Sequence, residues 1–326
     1  MSDKLLIQVK DLLTQFRLDD GLLTAVDHIS FDIFRGESLG IVGESGCGKS
    51  VTAFSILNLI TPPGKVVSGE ILFEGEDILK KSKRELRMFR GSKVSMVFQE
   101  PMTSLNPVFT IGHQIDEVIK IHQRLGVKET KDRSIELLKL VNIPSPEQRY
   151  TEYPHQLSGG MRQRVMIAIA LACNPALIIC DEPTTALDVT VQAQVLKLIN
   201  KLKRQMNMSI MLITHDLAVI SEIADRVIIM YAGQIVEQAV ERDIFNKPLH
   251  PYTEALLKSI PSINKNSSEL YMIKGMVPNL LKKHQGCLFA PRCVYAKKKC
   301  HEIQPDLCSA GNSLVRCFRY MDEAFE

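Results

Sequence analysis

Eight consecutive residues, 43–50, have the types and spacing needed to bind a chain of phosphates. They follow the short apolar run 38–42, and a helix is expected after Lys49. The glycines let backbone N–H groups curl around phosphate oxygens, Lys49 can reach the β and γ oxygens, and the Ser50 hydroxyl can ligate Mg²⁺. The predicted nucleotide-binding residues of this segment and the position after it are Gly43, Ser45, Gly46, Cys47, Gly48, Lys49, Ser50 and Val51.

Two neighbouring carboxylates end an apolar stretch further along the chain. Residues 177–181 predict an apolar strand that ends in the carboxylate of Asp181, and Glu182 follows directly. Asp181 is predicted to hold the coordination sphere of Mg²⁺, and Glu182 is placed to orient and polarise an attacking water as a general base. Together with the phosphate-binding loop, this pair predicts hydrolysis of a nucleoside triphosphate.

A serine and two glycines form the start of a predicted helix. Ser158 is a good N-cap for the helix-forming residues 161–172, and Gly159 and Gly160 lie between them. Glycine lowers helix stability but lets a backbone touch a ligand, and a helix N-terminus binds anions. Because the loop at 43–50 already embraces the phosphates from one side, Ser158, Gly159 and Gly160 are predicted to contact the γ-phosphate of ATP held by a facing subunit.

This ordered set of motifs resembles the nucleotide-binding subunit of an ATP-binding cassette (ABC) transporter. The resemblance implies that Gln99 contacts Mg²⁺ and the attacking water, that His215 lies against the γ-phosphate, and that Phe16 stacks on adenine. It also implies that ATP is cleaved only when two such subunits meet. The family commonly has Gln where this chain has Met161, a variation that leaves the anion-binding groups in place.

Three further stretches, 98–107, 249–257 and 286–293, resemble the peptide-importer branch of that family. The resemblance implies an ATP-hydrolysing subunit that energises import of dipeptides or oligopeptides. It implies pairing with a second, usually different ATPase subunit and with two transmembrane permease subunits. An extracytoplasmic peptide-binding protein would take part indirectly, and no nucleic acid is expected.

Two alternative functions stay open. Nickel importers share the features of the peptide-importer branch. Soluble ABC ATPases of DNA repair or translation also include members with iron–sulfur modules. They carry either a long coiled coil between the two nucleotide motifs or two cassettes in one chain, and this sequence has neither.

The order of predicted elements indicates an α/β fold with a mostly parallel sheet covered by helices. Alternating apolar positions over 4–35 predict an antiparallel β subdomain, and helical periodicity predicts a helical subdomain at about 100–172. Residues 1–261 are expected to form the ABC nucleotide-binding domain. A linker rich in Ser and Asn leads into a small cysteine-rich C-terminal module, 262–326.

Five of the eight cysteines fall between residues 287 and 317. In a reducing compartment such crowding indicates metal or redox chemistry before disulfides. The tight cysteine pairs of zinc ribbons are absent, and four thiolates without such a pair can still hold a cubane cluster. Some members of the resembled branch carry a [4Fe–4S] cluster on such cysteines. The predicted ligands are Cys287, Cys293, Cys300 and Cys308.

Other interpretations of the cysteines stay open. Zinc could be held with His284 or His301 as a further ligand, the module could lack metal, or it could be a redox sensor that gates the ATPase. Cys317 is left over and is expected to be a packed thiol. Cys180, within the apolar run, is expected to be buried and inert.

Composition places the chain among globular proteins, since 45% of its residues are apolar and 24% are charged. No stretch approaches the ~18 apolar residues of a membrane-spanning helix, and the N-terminus lacks the order of a signal peptide. The protein is therefore expected to stay in the cytosol. The resemblance adds a peripheral position on the cytoplasmic face of the cell membrane.

Overall fold

A computed structural model describes residues 4–100, 104–185, 187–260, 272–281 and 284–321. Within these ranges the backbone forms twelve strands and eleven α-helices. The strands are β1 (Leu5–Leu18), β2 (Gly21–Phe34), β3 (Ser38–Val42), β4 (Gly64–Phe73), β5 (Glu76–Asp77), β6 (Val94–Val97), β7 (Leu177–Asp181), β8 (Ser209–Thr214), β9 (Arg226–Tyr231), β10 (Gln234–Val240), β11 (Cys308–Ala310) and β12 (Ser313–Val315).

The α-helices differ widely in length, and none in the described ranges is long and apolar enough to cross a membrane. They are α1 (Lys49–Ile56), α2 (Lys83–Phe89), α3 (Ile111–Gln123), α4 (Val127–Leu140), α5 (Pro146–Tyr150), α6 (Gly159–Leu171), α7 (Val189–Met206), α8 (Leu217–Ile223), α9 (Glu241–Asn246), α10 (Pro251–Lys258) and α11 (Lys298–Glu302).

The chain divides into two compact units that interleave along the sequence. The first contains residues 34–37 and 80–212, and the second contains 5–33, 38–79 and the residues from 213 onwards. The predicted boundary between residues 261 and 262, and the predicted linker that follows it, lie outside the described residues.

In the second unit, four strands form the predicted antiparallel β subdomain, in the order β2-β1-β4-β5. Strand β4 pairs antiparallel with both β1 and β5. Successive side chains of a strand point to opposite faces, and apolar residues on the core face are buried, among them Ile7 and Val9 of β1 and Ile29 of β2. This confirms the prediction made from residues 4–35.

The second unit also contains a row of five strands in the order β11-β12-β10-β9-β3. Strand β3 is buried along its whole length and pairs parallel with β9. Its carboxyl end leads into the phosphate-binding loop, and α1 begins at Lys49 as predicted. The other pairs of the row are antiparallel. The C-terminal module thus adds β12 to the edge of β10.

In the first unit, β6 pairs parallel with the fully buried β7. Because parallel strands end at the same edge of a sheet, the residues that follow β6 and β7 are brought together. Helices α3, α4 and α6 fill most of the stretch predicted as a helical subdomain. Helix α6 begins at Gly159, two residues before its predicted start, so both glycines belong to its first turn.

Candidate nucleotide site

The phosphate-binding loop has a backbone that only glycine can adopt at Gly48. This residue has φ of 100°, in the left-handed region, and a Cβ atom there would collide with the carbonyl oxygen of Ala25. Gly48 is also the residue before the first turn of α1, so its conformation turns the chain into the helix. The glycine spacing in the sequence therefore has a structural cause as well as a chemical one.

Lys49 lies at the centre of this loop. Its side chain is buried, and Nζ donates hydrogen bonds to the carbonyl oxygens of Gly43, at 2.7 Å, and Glu44, at 3.0 Å. The ammonium group is thus held within the loop at the N-terminus of α1, where helix and side chain both favour an anion. Cys47 is buried beside it, and burial raises the pKa of its thiol. Cys47 can therefore serve the loop through its backbone but not as a thiolate.

Glu44 is a loop residue that the sequence reasoning did not single out. Its N–H donates to the Tyr252 hydroxyl at 2.9 Å, and its carboxylate accepts two hydrogen bonds from Arg292. These partners follow it by more than two hundred residues, since Arg292 is separated from it by 248 positions. No local pattern could have indicated the contacts.

The predicted catalytic glutamate and glutamine lie together in the first unit. The Gln99 amide nitrogen donates to Glu182 Oε2 at 3.2 Å, and the Thr185 hydroxyl donates to the same oxygen at 3.0 Å. Glu182 has φ of 45°, a conformation that non-glycine residues rarely adopt and that functional sites often contain. Asp181 is buried at the end of β7, beside it. Thr185 is the member of this group that the sequence reasoning missed.

The two glycines at the start of α6 have different surroundings. Ser158 caps the helix, because its hydroxyl accepts from the Met161 N–H at 3.4 Å. A Cβ atom on Gly160 would lie 2.7 Å from Val191 Cγ1, so this glycine lets α6 approach α7. A Cβ atom on Gly159 would find its nearest neighbour, Leu187, at 3.8 Å. Ser158 and Gly159 are exposed and present the helix start outward, as an anion-binding surface requires.

The positions of Phe16 and His215 do not test their predicted contacts with adenine and the γ-phosphate, which stay predictions. Phe16 is partly exposed on β1, opposite Gly64 of β4, and its ring fills the space where a side chain on Gly64 would lie. His215 is exposed directly after β8, and the next residue, Asp216, caps α8 by accepting from the Ala218 N–H at 2.8 Å.

Four cysteines of the C-terminal module line one small cavity of about 20 Å³. Cys308, predicted as the fourth ligand, does not line it, because its thiol on β11 lies 3.3 Å from the Val315 carbonyl oxygen. Cys317, predicted to be left over, takes its place, and burial raises the pKa of its thiol to about 11. The cavity cysteines are Cys287, Cys293, Cys300 and Cys317.

The donor set of this cavity matches the thiolates that iron–sulfur clusters use. Its other walls include His250 and Phe289, whereas the proposed zinc ligands His284 and His301 are exposed and do not line it. Within the described ranges, however, no three His, Cys, Asp or Glu side chains are arranged as ligands of a metal ion. Four thiols around one cavity therefore fit the chemistry of a cluster, while their present positions do not form a coordination shell.

Cys180 differs from the cavity cysteines because it lies inside the buried strand β7. Its side chain is fully buried, and desolvation raises the pKa of its thiol to about 12. This agrees with the expected inert core residue.

Comparisons with known proteins agree with this geometry. The family model described as "ABC transporter" matches residues 26–185, and the one described as "Oligopeptide/dipeptide transporter, C-terminal region" matches residues 236–300. The dipeptide transport ATP-binding protein DppD of Haemophilus influenzae is 50% identical over 98% of this chain and 96% of its own length. The oligopeptide transport ATP-binding protein AppD of Bacillus subtilis is 52% identical over 98% of both chains.

Solved structures give the same result for the fold. The ATP-binding cassette MJ0796, solved as a dimer bound to ADP and Pi, aligns with a TM-score of 0.66 and 28% identity over 72% of this chain and 99% of that chain. CbiO1 of Clostridium perfringens aligns with a TM-score of 0.63 and 28% identity over 75% of this chain and 92% of its own. The chain therefore belongs to the family of ABC transporter ATP-binding subunits that carry the oligopeptide/dipeptide transporter C-terminal region.

Proposed function

We propose that this chain is the ATP-hydrolysing subunit that energises an ABC importer of dipeptides or oligopeptides. The observation that carries the proposal is near-complete alignment, over 98% of the chain, with dipeptide and oligopeptide transport ATP-binding proteins. The names of these relatives favour peptides over nickel. A single cassette matched at residues 26–185 favours a transporter subunit over the soluble repair or translation ATPases.

Within the nucleotide site each predicted residue has a chemical task. The loop N–H groups and Lys49 bind the phosphates, and Ser50, Gln99 and Asp181 would hold Mg²⁺, which neutralises phosphate charge when bound. Glu182 orients the attacking water and accepts its proton, and the Gln99 amide and the Thr185 hydroxyl hold the carboxylate in place.

The remaining site residues act on the γ-phosphate and on adenine. His215 stabilises negative charge that develops on the γ-phosphate, and Phe16 stacks on adenine. Ser158, Gly159 and Gly160 serve the nucleotide bound by the facing subunit. The exposure of Ser158 and Gly159 supports this role.

The proposed assembly contains a second ATPase subunit, usually of different sequence, and two transmembrane permease subunits at the cytoplasmic face of the membrane. An extracytoplasmic peptide-binding protein delivers the solute. The dimeric state of the solved cassette MJ0796 supports the pairing of two cassettes. The predicted dependence on a facing subunit gives the pairing its chemical reason.

Reconstitution in liposomes tests the proposed function. The chain is co-purified with its membrane partners, and uptake of a labelled dipeptide, a labelled pentapeptide and Ni²⁺ is measured with and without ATP. We expect ATP-dependent peptide uptake and no Ni²⁺ uptake. Uptake of Ni²⁺ alone would instead support the nickel importer, and ATP hydrolysis stimulated by DNA or ribosomes without membrane partners would support the soluble class.

For the cysteine module we propose a [4Fe–4S] cluster held by Cys287, Cys293, Cys300 and Cys317. The cluster would supply a one-electron redox centre or a structural crosslink. The four thiols that line one cavity support it, although their present positions in the described residues do not form a coordination shell. A matched pair of variants tests the ligand set. Cys317→Ser should lose bound iron and acid-labile sulfide after anaerobic purification, whereas Cys308→Ser should keep both. Bound zinc, or no metal in the wild type, would contradict the cluster.

A further inference from the structure

Arg292, in the C-terminal module, uses every hydrogen-bond donor of its guanidinium. Nη1 and Nη2 donate hydrogen bonds to the two oxygens of the Glu44 carboxylate, at 2.7 and 2.9 Å. Nη1 also donates to the Tyr231 hydroxyl at 3.3 Å. The two remaining donors reach the carbonyl oxygens of Lys274, at 3.2 Å, and Ile273, at 3.4 Å. The Arg292 side chain is only 5% exposed. A planar fork with five donors fits this environment, and a lysine ammonium does not.

Glu44 is fixed at three points by these contacts and their neighbours. Its carboxylate is bound by Arg292, its N–H donates to the Tyr252 hydroxyl, and its carbonyl accepts from Lys49 Nζ. Tyr252 is itself fully buried, and its ring packs against Phe289 of the cysteine module at 5.4 Å between centroids. The first turn of the phosphate-binding loop is thus held from outside by residues of the C-terminal part of the chain.

The charge of Glu44 makes this arrangement matter for nucleotide binding. An acidic side chain in a loop that binds polyphosphate would repel the ligand unless its charge were neutralised. Arg292 neutralises it in a bidentate pair and turns the carboxylate away into a protein contact. A loop that is already held in one conformation also loses less conformational entropy when a ligand binds.

We propose that Arg292 is a positioning residue for the phosphate-binding loop, acting through Glu44, so that the C-terminal module sets the affinity for ATP. This inference rests on the proposed ATPase function but not on which solute is transported. It assigns to the module a task that does not require metal.

The test measures the Kd for a fluorescent ATP analogue with Mg²⁺ on the purified full chain. Arg292→Ala should raise the Kd about tenfold, within the usual range of coupling between sites. The double variant Arg292→Ala with Glu44→Gln should recover at least half of that loss, because it removes the unpaired carboxylate. Arg319→Ala is the control, since Arg319 of the same module forms a partly buried ion pair with Glu254 of α10 and, within the described part of the chain, does not contact the loop residue Glu44. This control should bind the analogue as the wild type does.

Three outcomes would overturn the proposal: wild-type affinity in Arg292→Ala, equal weakening in Arg319→Ala, or no recovery in the double variant. If Arg292→Ala does not fold, Arg292→Lys replaces it, and wild-type affinity in that variant would contradict a role for the fork. In the assembled transporter, a positioning role raises the KM for ATP with kcat within about twofold, whereas mere loss of folded protein lowers the apparent kcat. A wild-type chain that binds no ATP would refute the proposed function instead.

Discussion

The phosphate-binding loop and the start of α6 are both glycine-containing entries to a helix N-terminus, but they are built differently. In the loop, Lys49 is buried, and Gly48 has no room for a Cβ atom beside a neighbouring carbonyl group. At the start of α6, Ser158 and Gly159 are exposed, and a Cβ atom on Gly159 would meet its nearest neighbour only at 3.8 Å. The proposed function assigns a different ligand to each. The loop would bind the nucleotide of its own chain, and the exposed helix start would contact the nucleotide of the facing subunit.

The largest expected effect is on kcat, from a substitution that stops ATP hydrolysis but leaves ATP binding intact. Glu182→Gln keeps the side-chain shape but cannot accept a proton from water. We expect kcat to fall by about 10²- to 10⁴-fold, the usual contribution of a general base, while the Kd for the ATP analogue changes by less than about twofold. Single-turnover hydrolysis and equilibrium titration measure the two quantities. Unchanged turnover would remove Glu182 from this role.

The next test asks whether the loop is as rigid as its contacts indicate. Gly48→Ala forces a Cβ atom against the Ala25 carbonyl at φ of 100° and should lower the free energy of unfolding by about 3 kcal/mol and abolish ATP binding. Gly46→Ala is the control, because Gly46 has a φ of 78° but nothing within 4 Å of its added Cβ. It should lose only about 1 kcal/mol in urea denaturation. Equal losses in both variants would show that the collision is unimportant.

A third test distinguishes a cap from an anion contact. Ser158→Ala removes a long capping bond and should lower the free energy of unfolding by only about 0.5 kcal/mol. It should nevertheless lower kcat in the assembled transporter by about 10²-fold, as loss of one charge-stabilising donor does. Ser82→Ala removes the capping box of α2 and should cost about 1 kcal/mol with unchanged kcat. If both variants kept full turnover, the facing-subunit role of Ser158 would be wrong.

The smallest effect should separate the two glycines of α6. Gly160→Ala crowds Val191 and should lower the free energy of unfolding by about 1 kcal/mol. Gly159→Ala meets no close neighbour and should leave it unchanged or raise it by up to about 1 kcal/mol, because alanine favours helix. Thermal unfolding of the two variants is sufficient to compare them. The reverse order would contradict the packing described for α6.

Features that depend on a few consecutive residues could be predicted from the sequence. The loop at 43–50, the strand that ends at Asp181 and the capped start of α6 each combine a local pattern with a local structure. The meeting of Gln99 and Glu182 could also be anticipated, because both follow parallel strands. Strand order and the interleaving of the two units depend on long-range pairing, which periodicity does not encode.

Sets assembled from distant residues could not be predicted. Cys308 is the fourth cluster ligand predicted from the sequence. The short hairpin of β11 and β12 instead directs Cys308 toward a backbone carbonyl and returns the chain to the cavity at Cys317. The contact between Arg292 and Glu44 spans 248 positions and has no local signal. In both cases the contact depends on how distant parts of the chain fold against each other, which a local sequence pattern does not record.

The pairing of β12 with β10 has a practical consequence for anyone who shortens this protein. Glu237 and Gln238 of β10 lie opposite Val315 and Leu314, and the Arg316 N–H donates to the Val236 carbonyl at 2.8 Å. A shortened chain that stopped before this hairpin would leave one edge of β10 without its hydrogen-bonding partner, so that other chains could pair with it. Aggregation of such a truncated protein would then follow from the lost β10–β12 pairing. A fusion partner should therefore be joined after the hairpin.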